Sequence, residues 1–199
     1  MPYPGVENYT RYAMARLGLL PLPLNVKSLN PEFGPVVNDF LSFRYRFSVP
    51  PCQSVSANRS IFIAVNSAPG NFEKRKVIRQ TWRKHLPIVQ AQMGLSGFAF
   101  VLGLTDDNVT QLKIDEENET NGDIIQVEVS DFYRNLSLKA AGLFNWLYVN
   151  CAKVDFVLKA DDDVYVNVRN LANFVQSNHP SNQSIFGTVT GTLTASRGM

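Results

Sequence analysis

Three consecutive carboxylates, Asp161-Asp162-Asp163, close the apolar run Phe156-Val157-Leu158-Lys159-Ala160, and Val164-Tyr165-Val166 follows them. Carboxylates about 4 Å apart repel by roughly 1 kcal/mol even in water, and by more when partly desolvated. A divalent cation relieves that repulsion. Mg²⁺ or Mn²⁺ binds hard oxygen, through one or two carboxylates and the phosphates of a substrate. A solvated acidic turn is the plain alternative. The apolar flanks favour the mouth of a buried strand, and in open α/β sheets ligands sit just beyond the carboxyl ends of strands. On extended backbone Asp161 and Asp163 project to the same side. One could hold the metal and the other a ribose hydroxyl or a metal-bound water.

A second stretch carries the opposite charge. Arg75-Lys76-Val77-Ile78-Arg79-Gln80-Thr81-Trp82-Arg83-Lys84 follows a strand and a turn. Arg75 and Arg79 are four residues apart and share a helix face. A helix N-terminus with cationic side chains suits a phosphate; a solvated basic face fits the same pattern. Trp82 reads as core. Lys159 either pairs with an Asp or contacts a phosphate. No glycine-rich phosphate loop, Ser-His-Asp order or zinc-type Cys/His cluster occurs. Cys151 therefore reads as structural rather than nucleophilic. A metal at one strand end and a basic helix after another suit a nucleotide diphosphate.

The elements that must position these groups alternate. Strands are expected at Ile61–Val65, Phe98–Gly103, Asp123–Val127, Asp155–Ala160 and Ile185–Val189. Helices are expected from Asn71, as N-cap, to His85, over Thr105–Glu119 with Gly122 beyond it, over Leu136–Val149, and from the cap Asn167 to about Asn178. This order predicts an α/β fold, mostly parallel, with helices on both faces. Residues 1–58 hold eight of the eleven prolines and read as a stem or N-terminal arm, with a possible edge strand in Asp39–Val49. Residues 59–199 then form the domain.

Bulk properties narrow the classes. The chain has 199 residues, 45% hydrophobic and 18% charged, with net charge +2. That is ordinary globular composition, with no basic run to suggest nucleic acid. No stretch reaches the ~18 apolar residues a bilayer span requires. Cys52 and Cys151 allow one disulfide. Six Asn-X-Ser/Thr sequons, at Asn8, Asn58, Asn108, Asn118, Asn135 and Asn182, point to the secretory pathway.

Several stretches in order carry a family resemblance: Arg75-X-X-X-Arg79-X-Thr81-Trp82, Phe100-Val101-Leu102-Gly103, Asp123-Ile124-Ile125, Phe132 to Lys139, Cys151, and Leu158 to Asn167. Together they resemble the β1,3-galactosyltransferases and β1,3-N-acetylglucosaminyltransferases of the Golgi, over about Val37 to Asn167. The resemblance implies a GT-A fold, a Rossmann-like nucleotide-binding sheet, here incomplete. It implies a UDP-sugar donor, Mn²⁺, and inverting β1,3 transfer of galactose or N-acetylhexosamine to a glycan on a glycoprotein or glycolipid. Asp161 and Asp163 match the metal positions, with Asp163 the more direct ligand. Ser67, Arg75, Arg79, Lys159, Asp161 and Asp162 match positions at the donor nucleotide.

The family's members are type II Golgi membrane proteins. Their N-terminal anchor has no counterpart here, and no Glu-Asp-Val-type motif follows Asn167 to supply the base that inversion requires. The chain is thus expected to be a truncated member carrying the donor half. A UDP-binding fragment without turnover is the alternative. A phosphohydrolase with an aspartyl nucleophile fits less well, since that chemistry usually draws its Asp from the first strand and needs later Lys and Asp motifs.

Overall fold

The structure is a computed structural model that describes residues 43–53, 59–178 and 184–187. The chain divides into Met1–Phe40 and Leu41–Met199, and every described residue belongs to the second unit. Strands β1 (Tyr45–Phe47), β2 (Ser60–Asn66), β3 (Gly94–Leu104), β4 (Ile124–Ser130) and β5 (Phe156–Asp161) form one sheet in the order β1-β4-β3-β2-β5. The pairs β4–β3, β3–β2 and β2–β5 are parallel, and β1 lies antiparallel on β4. The helices are α1 (Phe72–Gln80), α2 (Asn108–Asn121), α3 (Leu136–Asn150) and α4 (Val168–Ser177), with a 3-10 helix at Trp82–Val89 after α1.

The unbroken apolar run of β2 is explained by cover on both faces. All of Ile61 to Val65 is buried. Ile61, Ile63 and Val65 face one core with Ile78, Trp82 and Leu86, Ile114 of α2, and Ala172 and Val175 of α4. Phe62 and Ala64 face the other, with Leu143, Trp146 and Leu147 of α3. Helices therefore lie on both sides, as the alternation of elements predicts.

The chain order creates one special place. From β2 the chain moves outward to β3 and β4, then returns to add β5 on the other side of β2. The connections after β2 and β5 consequently diverge, leaving a crevice at the carboxyl ends of those two strands.

Several expectations are corrected. Residues 185–187, within the expected strand Ile185–Val189, form no strand, and 188–189 lie outside the described residues. The fifth strand is instead β1, an antiparallel edge within the expected Asp39–Val49 stretch. Residues 43–53 of the proline-rich segment belong to the folded unit, because β1 pairs with β4 and Cys52 is disulfide-bonded to Cys151. The helix from Asn71 does not run to His85. It stops at Gln80, where Thr81 leaves helical geometry (φ −108°, ψ −111°), and a 3-10 helix containing Pro87 resumes. Proline cannot donate to an α-helical ladder, which suits the tighter, shorter winding. Asn71 makes no side-chain cap. At the other helices Asn167 does cap α4, and Gly122 (φ 60°) ends α2 in the left-handed region.

Candidate active site

The crevice between the ends of β2 and β5 collects the acidic triplet. Asn66 pairs in register with Asp161. Ser67 to Asn71 form the β2–α1 turn, and Asp161 to Asn167 lead from β5 to α4.

The three carboxylates have different environments. Asp162 is the buried one, its side chain 8% exposed. Its Oδ2 accepts from Ser67 Oγ at 2.8 Å and Asn71 Nδ2 at 2.7 Å, and its Oδ1 accepts from Lys74 Nζ at 3.0 Å. Burial opposes its charge, but the bonds from Asn71, Ser67 and Lys74 and the charge of Lys74 outweigh it, so its carboxyl lies below the usual range. Lys74 is held protonated in return, by its hydrogen bond to Asp162 and by the charges of Asp162 and Asp163. Asp161 is 63% exposed, 3.6 Å from Lys159 Nζ, and receives a long 3.4 Å bond from Asn66 Nδ2. Asp163 is exposed and takes no hydrogen bond from any described residue. Asn71 thus anchors the triplet instead of capping its helix.

The two arginines expected at a phosphate are turned inward. Arg75 is fully buried. Its Nε meets Glu117 at 3.0 Å, its Nη1 donates to Ser67 Oγ (3.0 Å) and Ala68 O (2.7 Å), and its Nη2 to Pro69 O (3.1 Å) and Glu117 (2.6 Å). A guanidinium has five N–H donors, so this one is saturated. Arg79 lies against Asp123 and Glu117 and over the Phe100 ring. The structure therefore brings Ser67, Lys159 and Asp161 to Asp163 to one crevice. Arg75 reaches it through Ser67 and the carbonyls of Ala68 and Pro69, and the polar bonds of Arg79 end on Asp123 and Glu117.

Four residues join the site that sequence reasoning passes over. Asn66, Asn71 and Lys74 touch the triplet, and Lys139 reaches the turn from α3, donating to Ser67 O (2.9 Å) and Asp131 Oδ2 (2.8 Å). Lys74 stands beside the basic pair within one run, but the four-residue spacing selects Arg75 and Arg79. The contacts of Asn66 and Asn71 with the triplet and of Lys139 with Ser67 join residues far apart in sequence and leave no local signal.

The donor set fits a hard cation. Asp161 and Asp163 present exposed carboxylates, and Asn66 Oδ1 is a buried oxygen with no partner among the described residues. Among the described residues no three His, Cys, Asp or Glu side chains form a cage by themselves. A magnesium-like ion bound through one or two carboxylates and substrate phosphates needs no such cage.

A mostly parallel α/β sheet with acidic and basic groups at its switch point has the architecture of a GT-A-like glycosyltransferase domain. The galactosyltransferase family model matches residues 73–198, and the chain belongs to that family of hexosyltransferases. It is 32% identical over 130 residues to the lactosylceramide 1,3-N-acetyl-β-D-glucosaminyltransferase A of Danio rerio, covering 62% of this chain and 34% of the relative. It is 28% identical over 160 residues to the N-acetyllactosaminide β-1,3-N-acetylglucosaminyltransferase 3 of Homo sapiens, covering 76% and 42%. It is 32% identical over 154 residues to the β-1,3-galactosyltransferase 5 of Gorilla gorilla gorilla, covering 76% and 50%. The chain thus spans a third to a half of the length of these relatives.

Proposed function

We propose that this chain binds the donor of a hexosyl transfer, a UDP-sugar with a divalent cation, Mn²⁺, at the crevice between β2 and β5. The transfer we propose moves galactose or N-acetylhexosamine to a glycan acceptor in β1,3 linkage with inversion, in the Golgi lumen. The relatives' names motivate the sugars and the linkage, and the sequons favour the secretory pathway. One observation carries the reading. At the switch point Asp162 is tied down by three donors while its neighbours Asp161 and Asp163 stay exposed.

In this reading Asp163, with Asp161, would hold the cation, and Asn66 Oδ1 offers a further oxygen. When bound, the cation would neutralise the charge that develops on the departing diphosphate. Lys74 of α1 stands at the triplet and would serve a phosphate. It is half exposed, and its partner Asp162 keeps two other donors. Lys159 Nζ lies 3.6 Å from Asp161 Oδ1. Proton removal from the acceptor is assigned to no residue of this chain.

The test is calorimetric titration of the 199-residue chain with UDP, with and without Mn²⁺. Binding that strengthens with Mn²⁺, and loses that increment in Asp163→Ala, is expected. Absence of heat in both conditions would overturn the reading. Binding without turnover of UDP-galactose or UDP-N-acetylglucosamine would restrict the chain to donor binding.

A further inference from the structure

We infer that Ser67 is a positioning residue, gripped from both faces of the sheet by two buried cations, and that it sets the acidic triplet through Asp162. The metal consequence rests on the donor reading above; the clamp itself does not.

Every polar group of Ser67 is engaged, and the residue is 3% exposed. Its N–H donates to Val101 O at 3.1 Å. Its carbonyl accepts from Lys139 Nζ at 2.9 Å. Its Oγ accepts from Arg75 Nη1 at 3.0 Å. The single hydroxyl proton is left for Asp162 Oδ2 at 2.8 Å, with Ala68 O a poorer acceptor at 3.3 Å. An ionised carboxylate is the stronger partner of the two. Both donors of Ser67, its N–H and its hydroxyl, are therefore committed within the protein, and the residue acts through what it holds.

The two cations come from opposite sides. Arg75 belongs to α1, which packs with α2 on one face through Ile78 and Ile114. Lys139 belongs to α3, which covers the other face. Each is matched by a carboxylate fixed elsewhere. Glu117 of α2 receives both Arg75 and Arg79. Asp131 also accepts from Gly103 N of β3, at 2.8 Å. Ionic groups buried in this way stabilise a fold little compared with apolar packing of equal volume, because desolvation offsets the attraction. What they supply is position. A charged fork on one face and an ammonium on the other allow Ser67 one place, and Asp162 follows it. With Asp162 held, its chain neighbours Asp161 and Asp163 are fixed in direction.

The test is a double-mutant cycle of Ser67→Ala and Asp162→Ala in the 199-residue chain, read twice. The first reading is the denaturation midpoint without metal. The second is Mn²⁺-dependent UDP affinity, which a purely structural serine would not move. Ser67→Ala is expected to weaken that affinity by about tenfold, the scale of one charge-assisted hydrogen bond. Both readings should be non-additive, since the two changes remove one interaction. Additive effects on stability would overturn the clamp. Unchanged UDP affinity in Ser67→Ala, with the wild type binding, would overturn its role at the triplet. If the wild type binds no UDP, the donor reading fails, and coupling in the stability cycle alone still supports the clamp.

Discussion

Arg79 lays its guanidinium along the carboxylate of Asp123, Nε and Nη2 meeting the two oxygens at 2.9 and 2.7 Å. Its Nη1 reaches Glu117 at 2.6 Å, so one arginine joins the start of β4 to α2. Burial opposes its charge, and Asp123 and Glu117 more than restore it, so its pKa is raised. Removing Arg79 leaves Asp123, whose side chain is 3% exposed, with only Arg83 at 3.2 Å. Breaking such a pair from one side costs about 3 kcal/mol. Arg79→Ala should lower the unfolding free energy by that amount in chemical denaturation. Arg79→Lys should restore little of it, because an ammonium cannot reproduce the two-pronged contact. A loss of UDP affinity at unchanged stability would return Arg79 to the donor site.

The disulfide between Cys52 and Cys151 joins positions 99 residues apart. It anchors the chain that follows β1 to the end of α3. Closing so long a loop restricts the unfolded chain strongly, by about 5 kcal/mol in the chain-entropy treatment. Cys52→Ser with Cys151→Ser should lower stability by that order in chemical denaturation. Reductant should reproduce the loss in the wild type and have no effect on the double variant.

Acid should loosen the triplet at Asp162. Its folded pKa lies below the ordinary 3.8, so its ionisation favours the folded state. That contribution is fully present above the ordinary carboxylate range and is lost as pH falls through the lowered value. Denaturation at a series of pH values should show a steeper loss below about pH 4 in the wild type than in Asp162→Asn. Identical slopes would remove Asp162 as an ionised anchor.

A glycine within the chain's second long strand is a packing requirement. A Cβ on Gly103 would stand 2.5 Å from the carbonyl oxygen of Val129 and 2.9 Å from Asp131 Cβ. Backbone cannot give way as a flexible side chain does, and β3 and β4 shift register at this point. Gly103→Ala should destabilise by about 2 kcal/mol, the scale of overpacking. It should also disturb Asp131, and with it the Lys139 contact to Ser67, which exchange of the backbone amide at position 103 would report.

Much of this organisation is legible in local pattern. The apolar run Ile61–Val65 predicts a doubly covered strand, and all five residues are buried. The triplet after Phe156–Ala160 stands at a strand end as its flanks suggest, and the caps and helical periods locate α2, α3 and α4 within a few residues. These follow from short-range rules of spacing and propensity. What tertiary structure alone decided is who meets whom. Arg75 and Arg79 share a helix face by spacing, but that face packs on α2 and the start of β4. Glu117 and Asp123, roughly forty residues on, claim their charges. Asp39–Val49 reads as a possible edge strand, but only pairing with β4 fixes its three-residue extent, Tyr45–Phe47, and its antiparallel sense. Three aspartates in a row look alike in sequence. They are told apart by Ser67 and Asn71, more than ninety residues earlier. Those two residues draw the middle carboxylate inward and leave Asp161 and Asp163 exposed, because only the folded sheet sets the end of β2 beside the end of β5.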